Sequence, residues 1–549
     1  MNSNYTIWLK KVKDKELKNE LKGLTGAKLD NAFYKELSFG TAGLRGEIGV
    51  GTNCLNIYTV AKVTQGIANS MTTKGQKVVA ISYDSRIKSD LFAKTAASIF
   101  AANGIKVYIS KELMPVPYLS FLVRSVKANI GVMITASHNP SIYNGYKVYG
   151  NDGCQLTDNA ANEMTSFIAK VDYFDTKSIK FEKALKQKLI CYADDSIEED
   201  YLTKTLTQNL NKADEVKVVY SPLNGAGYRL VPKILYKIGV KSLSIVKEQG
   251  YPCGKFTTCS YPNPEKKEAL KLSLDLAKEV DADIVIATDP DADRLGVAVK
   301  HKDDYQLLNG NEMGVLLADY ILSIKKANST LPKDSLIVKT IVSTELATKV
   351  AASYGIDTVN VLTGFKYIGE KILELEKEGQ ENHFIFGFEE SYGSLAGTAV
   401  RDKDAVVSSM LAVEMAAYYK KQSKTLIDRM NEIYAKFGFY QTENLSLEFL
   451  GASGNAKMQE LLDDFRAKLP KKIAGLKVEK TTDYLTQKEF NLPKANVVSL
   501  FLEKGTQLIV RPSGTEPLIK MYITAAQNIE INQKIFTKIK EYLNEKFKS

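Results

Sequence analysis

Several residue types are scarce in this chain, and each shortage excludes a class of protein. Only five of the 549 residues are cysteine, and Cys54, Cys154, Cys191, Cys253 and Cys259 are scattered, with no C-x-x-C pair among them. That excludes a disulfide scaffold and a cysteine zinc site, and predicts reduced thiols in a cytoplasmic protein. With 14 prolines and 35 glycines, no proline- or glycine-rich stalk can form. No apolar run approaches the ~18 residues of a spanning helix. The stretch from Met1 to Glu20 is polar and lysine-rich, so no secretory signal is expected. Arginine is the most informative shortage: only nine of the 74 basic residues are arginine. The formal charge of +10 therefore comes from lysines dispersed among glutamates. That pattern is a solvated surface and lacks the concentrated basic and aromatic face of a nucleic-acid binder. A small anionic ligand suits it better.

What is present is a folded chain, 44% hydrophobic and 25% charged, long enough for three to five domains. Short β-branched runs alternate with helical stretches. The first block has Val78–Tyr83, Ile105–Ile109 and Ile130–Ile134, with a helix over Asp90–Asn103 ended by Gly104. The second has Val216–Tyr220, Ser242–Val246 and Asp283–Ala287, and the third Leu336–Ile341, Thr358–Leu362 and His383–Phe386. This alternation predicts three consecutive α/β domains. The last block, with Ala495–Leu502, Gln507–Val510 and Leu518–Thr524 at hairpin-like spacing and one helix after them, predicts a smaller α+β domain. Domain limits are expected at 1–200, 201–306, 307–430 and 431–549.

In open α/β sheets ligands sit beyond the carboxyl ends of strands, and each block ends in an unusual loop. Ile130–Ile134 runs into Thr135-Ala136-Ser137-His138-Asn139-Pro140 and then Asn144-Gly145-Tyr146-Lys147. This is a nucleophile beside a His, or simply a turn, and the absence of a G-x-S-x-G elbow argues against a hydrolase triad. Asp283–Ala287 leads to Asp289, Asp291 and Asp293, followed by Arg294. Carboxylates ~5 Å apart repel by ~3 kcal/mol at an effective dielectric near 20, which a divalent cation relieves. An EF-hand is excluded, because its sixth and twelfth positions are Arg294 and Lys300. An exposed all-oxygen set with few protein ligands suits Mg²⁺. The third block ends in Glu389-Glu390-Ser391-Tyr392-Gly393, with Thr363-Gly364-Phe365-Lys366 upstream, a polar loop or a binder of sugar hydroxyls. The last block ends in Arg511-Pro512-Ser513-Gly514-Thr515, a β-turn or a phosphate cradle. Near the N-terminus Gly40-Thr41-Ala42-Gly43-Leu44-Arg45-Gly46 is glycine-rich but matches neither the dinucleotide fingerprint nor the P-loop. Arg45, Arg294 and Arg511 thus place three of the nine arginines in these segments, and Arg401 follows the third loop.

Taken together, these loops resemble the α-D-phosphohexomutase superfamily, in family order and over nearly the whole chain. Thr135–Pro140 is similar to its phosphoserine loop, Asp289–Arg294 to its metal loop, Glu389–Ser391 to its sugar loop and Arg511–Thr515 to its phosphate loop. The segments Gly40–Gly46, Phe388–Gly393 and Arg401–Asp404 look most like the bacterial phosphoglucomutases allied to the phosphopentomutase and glucose-1,6-bisphosphate synthase branch. The phosphomannomutase/phosphoglucomutase branch has a His where this chain has Gly393, so no sugar-loop histidine carries over.

The resemblance implies three α/β domains with mixed sheets and an α+β domain around a central cleft. It implies an isomerase that moves a phosphoryl group between Ser137 and a sugar monophosphate, interconverting glucose 1-phosphate and glucose 6-phosphate through a bisphosphate. Ser137, Asp289, Asp291 and Asp293 would hold Mg²⁺, with a sugar 1,6-bisphosphate as activator. Lys147 would be the general acid/base, for which a lowered pKa is expected. His138 would assist positioning, and Arg45 and Arg294 would offset the charge. Thr363, Gly364, Glu389 and Ser391 would bind the sugar, and Lys366, Arg511, Ser513, Gly514 and Thr515 the distal phosphate. Mannose and pentose phosphates are alternative substrates. A Mg²⁺-dependent sugar phosphatase and a non-catalytic sugar-phosphate binder are the rival functions. No nucleic-acid or membrane partner is expected.

Overall fold

The structure, a computed structural model, describes residues 3–40, 43–449, 454–487, 492–513 and 518–547. Four sheets follow one another along the chain. The first contains β1 (Gly43–Glu47), β2 (Val78–Tyr83), β3 (Lys106–Ile109), β4 (Ile130–Ile134), β5 (Tyr143–Tyr149) and β6 (Ile190–Tyr192), in the order β1-β5-β4-β2-β3-β6. The second contains β7 (Lys217–Ser221), β8 (Ser242–Ile245), β9 (Ile284–Thr288), β10 (Leu295–His301) and β11 (Asp304–Leu308), in the order β11-β10-β9-β7-β8. The third contains β12 (Leu336–Thr340), β13 (Asp357–Val361), β14 (Phe384–Glu389) and β15 (Gly393–Ala396), in the order β13-β12-β14-β15.

All three sheets share one plan. A parallel centre of buried β-branched strands is extended by a hairpin whose second strand runs antiparallel: β4 to β5, β9 to β10 and β14 to β15. Each motif-bearing loop is the turn of that hairpin. The fourth sheet is antiparallel throughout and contains β16 (Gln441–Glu448), β17 (Lys472–Ile473), β18 (Leu476–Asp483), β19 (Val498–Leu502), β20 (Thr506–Pro512) and β21 (Leu518–Ala525). Here too the Arg511 motif lies at a hairpin, between β20 and β21.

The fold class is the expected one, with two corrections. Asn144–Lys147 and Gly43–Gly46, taken from the sequence as loop, are strand: β5 and β1 pair in register, Arg45 opposite Gly145 and Leu44 opposite Tyr146. Their glycines and charges hide the period-two signal, and Gly145 is required because a Cβ there would enter the backbone of Thr135 and Leu44. Among the described residues the last domain has six strands and a further helix, Gly454–Ala467, besides the closing helix Ile529–Phe547; the extra strands are short or charged and carry little apolar signal in the sequence.

One apolar core runs through the first three sheets. It joins residues such as Leu119 and Met133 to Val218 and Ile286, and these to Phe386 and Met410. The helix Ala405–Lys420 is buried along nearly its whole length and supplies much of this shared core. The fourth sheet has a separate core, including Phe465, Leu500, Met521 and Phe536. It meets the third domain through a small cluster of Ile341, Val342 and Leu362 against Tyr484, Val497, Ile509 and Tyr522. At the N-terminus three short helices over Ser3–Phe33 pack around the single tryptophan, Trp8, whose ring is flanked by Phe33, Tyr58, Tyr173 and Phe174. Among the described residues no helix is long and apolar enough to cross a membrane.

Candidate active site

The turn after β9 brings Asp289, Asp291 and Asp293 together, each with an oxygen within 4.8 Å of the others. Ala292 between them adopts a left-handed φ of 50°, which curls the chain so that alternate carboxylates converge. Asp289 Oδ1 accepts the Asp293 and Arg294 amides, both at 3.0 Å. All three side chains are buried. Asp291 Oδ1 and Asp293 Oδ1 have no hydrogen-bond partner, which is costly for buried carboxylate oxygens. A divalent cation fits here: three hard carboxylates converge and two of their oxygens are unsatisfied. Burial, with the charges of Asp291 and Asp293, pushes Asp289 well above the usual carboxylate range. Burial pushes Asp291 the same way, but Lys147 outweighs it and holds Asp291 below that range.

Ser137 stands at the turn after β4, 3% exposed, with a left-handed φ of 53°. Such backbone costs ~1–3 kcal/mol and persists only where neighbours fix it. Ser137 Oγ donates to Asp289 Oδ2 at 2.9 Å, which joins the first two loops directly. The Ser137 amide donates to Thr135 Oγ1, and the Thr135 hydroxyl lies 2.6 Å from Asp84 Oδ2 and 3.2 Å from Asp291 Oδ2. His138 Nδ1 is 3.2 Å from Ser137 Oγ, and its ring meets Tyr261 edge-on. Burial, reinforced by Arg294 and Arg45, keeps this imidazole neutral. Arg45 reaches the same loop from β1 and donates to Asn139 Oδ1 at 3.0 Å.

Lys147 projects from β5 with Nζ 2.8 Å from Asp291 Oδ2 and 3.6 Å from Asp293 Oδ2. The lowered pKa expected for it is not observed. Burial acts in that direction, but the two aspartates outweigh it and raise the value, so the ammonium keeps its proton. Lys403 closes the other side of the cluster, 3.3 Å from Asp293 Oδ2 and 3.2 Å from Asp402 Oδ1. It passes directly over Gly393, where a Cβ would collide with its side chain, so the glycine makes room for this lysine. The third-domain loop itself is tied to the aspartate loop: Arg294 pairs with Gly393 in an isolated bridge, and the Leu295 amide donates to the Tyr392 carbonyl. Arg294 Nη1 lies 2.5 Å from Glu265 Oε1.

Glu389 is buried and accepts the Gly364 amide at 2.9 Å, which brings the two third-domain segments together. Thr363 Oγ1 is buried without a partner, and Ser391 is half-buried. Lys366 Nζ is held by Asp158 Oδ1 at 2.5 Å. Arg511, half-buried, donates to the Tyr522 hydroxyl at 2.9 Å and lies against that ring. The Ser513 amide donates to the Leu518 carbonyl, whereas Gly514 and Thr515 lie outside the described residues. Arg401 is a structural residue, buried, with Nη2 3.0 Å from Glu376 Oε2 and its amide bonded to Ser120 Oγ.

Four further residues belong to this site without a role expected from the sequence: Asp84, Arg86, Glu265 and Lys403, the last inside the Arg401–Asp404 segment. The one available signal was the scarcity of arginine, which makes Asp84-Ser85-Arg86 at the end of β2 conspicuous. Arg86 is 3% exposed and spreads its guanidinium over the carbonyls of Ser137, Asn139, Pro140 and Tyr143.

Comparison with known proteins gives the same set of loops a family. Residues 36–174, 199–302 and 309–437 match the phosphoglucomutase/phosphomannomutase alpha/beta/alpha domains I, II and III. A phosphoglucomutase of Staphylococcus epidermidis is 37% identical over 531 residues, covering 94% of this chain and 96% of its own. The chain belongs to the phosphoglucomutase/phosphomannomutase family. It is therefore a mutase, an isomerase of the α-D-phosphohexomutase superfamily. A phosphoglucomutase of Staphylococcus haemolyticus is 34% identical and covers 98% of both chains. The fold of the phosphoglucomutase/phosphomannomutase family also appears in a crystal structure of a family protein from Burkholderia thailandensis. It has a TM-score of 0.70 and 18% identity, covering 92% of this chain and 97% of that one.

Proposed function

We propose that this mutase interconverts α-D-glucose 1-phosphate and glucose 6-phosphate through a phosphorylated Ser137. The observation that carries the reading is the hydrogen bond from Ser137 Oγ to Asp289 Oδ2, within a buried aspartate cluster that has two unsatisfied oxygens. Glucose is chosen because the relatives aligned over nearly the full length are named phosphoglucomutases. Mg²⁺ held by Asp289, Asp291, Asp293 and the Ser137 phosphate would neutralise charge and polarise the transferring phosphoryl group.

In the forward step the P–Oγ bond of phosphoserine breaks as a bond forms from phosphorus to the free sugar hydroxyl. The hydroxyl proton ends on Ser137 Oγ. Lys147 on the same cluster carries it, donating to the departing Oγ and taking the proton released by the sugar. A cation on the carboxylates would compete with Lys147 for Asp291, which loosens the hold on its proton. Arg45, Arg294 and Lys403 offset the accumulating negative charge, and neutral His138 orients Oγ. Glu389, Ser391, Thr363 and Gly364 bind hydroxyls in either orientation of the sugar. Lys366, Arg511, Ser513, Gly514 and Thr515 hold the phosphate that is not reacting, and Lys366 must exchange Asp158 for it. The bisphosphate then turns in the cleft and returns its other phosphate to Ser137, and a sugar 1,6-bisphosphate primes the dephosphorylated enzyme. The four domains, 1–200, 201–306, 307–430 and 431–549, supply one loop each. Five free cysteines accord with a cytoplasmic setting.

The test compares initial rates on glucose 1-phosphate, mannose 1-phosphate and ribose 1-phosphate, each with its matching bisphosphate, with intact-mass measurement of the enzyme. Glucose 1-phosphate should turn over fastest, with a species one phosphate heavier that Ser137→Ala abolishes along with turnover. Release of inorganic phosphate in place of isomerised sugar phosphate, or full activity in Ser137→Ala, would overturn the proposal.

A further inference from the structure

We infer that Arg86 is a positioning residue for phosphoryl transfer, fixing the backbone that aims Ser137. Nη2 donates to the carbonyls of Ser137 and Asn139, and Nη1 to those of Pro140 and Tyr143, so one guanidinium serves four carbonyls of a single turn. Only the planar fork of arginine offers donors in this arrangement. Its Nε faces Asp84 Oδ2 at 3.4 Å, and that carboxylate also accepts the Thr135 hydroxyl. Thr135 in turn accepts the Ser137 amide. Both sides of the left-handed Ser137 peptide therefore end on the Arg86–Asp84 pair: its carbonyl directly, its amide through Thr135. The other contacts of the loop, Ser137 Oγ with Asp289 and Arg45 with the Asn139 side chain, engage side chains, whereas this pair engages the Ser137 backbone, in a conformation a serine seldom adopts.

Arg86 also ties this loop to the second domain. Its guanidinium lies 5.1 Å from the centre of the Phe256 ring, and its backbone forms a bridge with Gly254. Gly254 can approach so closely only because a Cβ there would run into the backbone of residues 85–87. The metal loop belongs to the same second domain. The separation between Ser137 Oγ and Asp289 is thus set from both sides by contacts of one arginine, which never needs to touch the sugar.

The inference rests on Ser137 being the phosphoryl carrier, and the experiment keeps the two apart. In Arg86→Lys the charge stays and the fork is lost. A misplacement of the order of 1 Å predicts kcat lower by about 30- to 300-fold, with KM for glucose 1-phosphate within about threefold. The Mg²⁺ concentration for half-maximal activity should also stay within about threefold, because the carboxylates are untouched. Phe256→Leu removes the ring face while keeping a buried apolar side chain, and predicts a kcat loss of about fivefold with KM held, alongside a lower melting temperature from the space it leaves. This second variant decides the matter if Arg86→Lys does not fold. A kcat within about threefold of wild type in a folded Arg86→Lys, or a loss that falls on KM alone, overturns the positioning role. Wild-type enzyme without phosphate on Ser137 and an active Ser137→Ala would instead overturn the carrier reading beneath it.

Discussion

Ser137, Asp289 and Asp291 are at most 3% exposed and sit where three domains share one apolar core, whereas Arg511 and Ser513 are half-buried at the margin of a domain with a core of its own. Around the serine, cross-links between loops are dense: Ser137 to Asp289, Thr135 to Asp84 and Asp291, Lys147 to Asp291, and the Val116 amide to the Asp291 carbonyl. Around Arg511 the described contacts are few, to Tyr522 and to its own turn, and the joint to the third domain is the small cluster about Ile341 and Leu362. The difference matches the division of labour proposed above. Transfer of a phosphoryl group requires atoms held to fractions of an ångström, and a fused core supplies that stiffness. Capture of a remote phosphate requires charge and reach, which a separately built domain can provide while adjusting its distance.

Three experiments would break or sharpen this contrast. The largest effect is expected at the rigid end. Asp291→Asn removes a ligand charge and the partner of Lys147, and should lower kcat by about a thousandfold or more, with chelation of the metal having a similar effect. Turnover that survives thorough chelation would leave the aspartates without a catalytic purpose. At the other end Arg511→Ala should cost ~1.5–3 kcal/mol of charge-assisted binding, a loss of about 10- to 150-fold in kcat/KM. Ser137 phosphorylation should remain intact in that variant, and a kinetically silent Arg511→Ala would remove the fourth domain from phosphate capture. The smallest effect concerns the joint. Burial and the adjacent Glu389 push Glu390 up to about 7, with Arg511 opposing them. Because the folded-state value lies above the ordinary one of 4.5, the folded protein binds this proton more tightly than the unfolded chain. The associated stability is fully present below pH ~4.5 and fades as pH rises through about 7. Calorimetric melting temperatures should decline across that window in wild type and less so in Glu390→Gln; identical slopes would show that Glu390 is not the titrating group.

Legibility from the sequence divided along physical lines. The strands β2, β4 and β9 are buried on both faces, and their short runs rich in Val and Ile announce them. The hairpin partners β5 and β15 carry glycine and polar residues because loops and side chains pass close over them, so they look like more loop. The same split holds in the site. Asp289, Asp291 and Asp293 stand at alternate positions of one turn and can be recognised by spacing alone. Arg86, Glu265 and Lys403 reach their partners Ser137, Arg294 and Asp293 across 51, 29 and 110 residues of chain, and no local pattern marks a contact that only folding creates. The protonation of Lys147 was likewise out of reach, since it depends on the distance to Asp291.

The seat of Trp8 determines what an optical measurement on this enzyme can see. It is the only indole in the chain, 1% exposed and enclosed by Phe33, Tyr58, Tyr173 and Phe174. Emission excited selectively from tryptophan will follow the docking of the first three helices on the first domain, and it will be silent when the fourth domain unfolds on its own. A fluorescence melt should therefore give a single clean transition even where calorimetry gives two, and the interval between them would measure how independently the fourth domain stands.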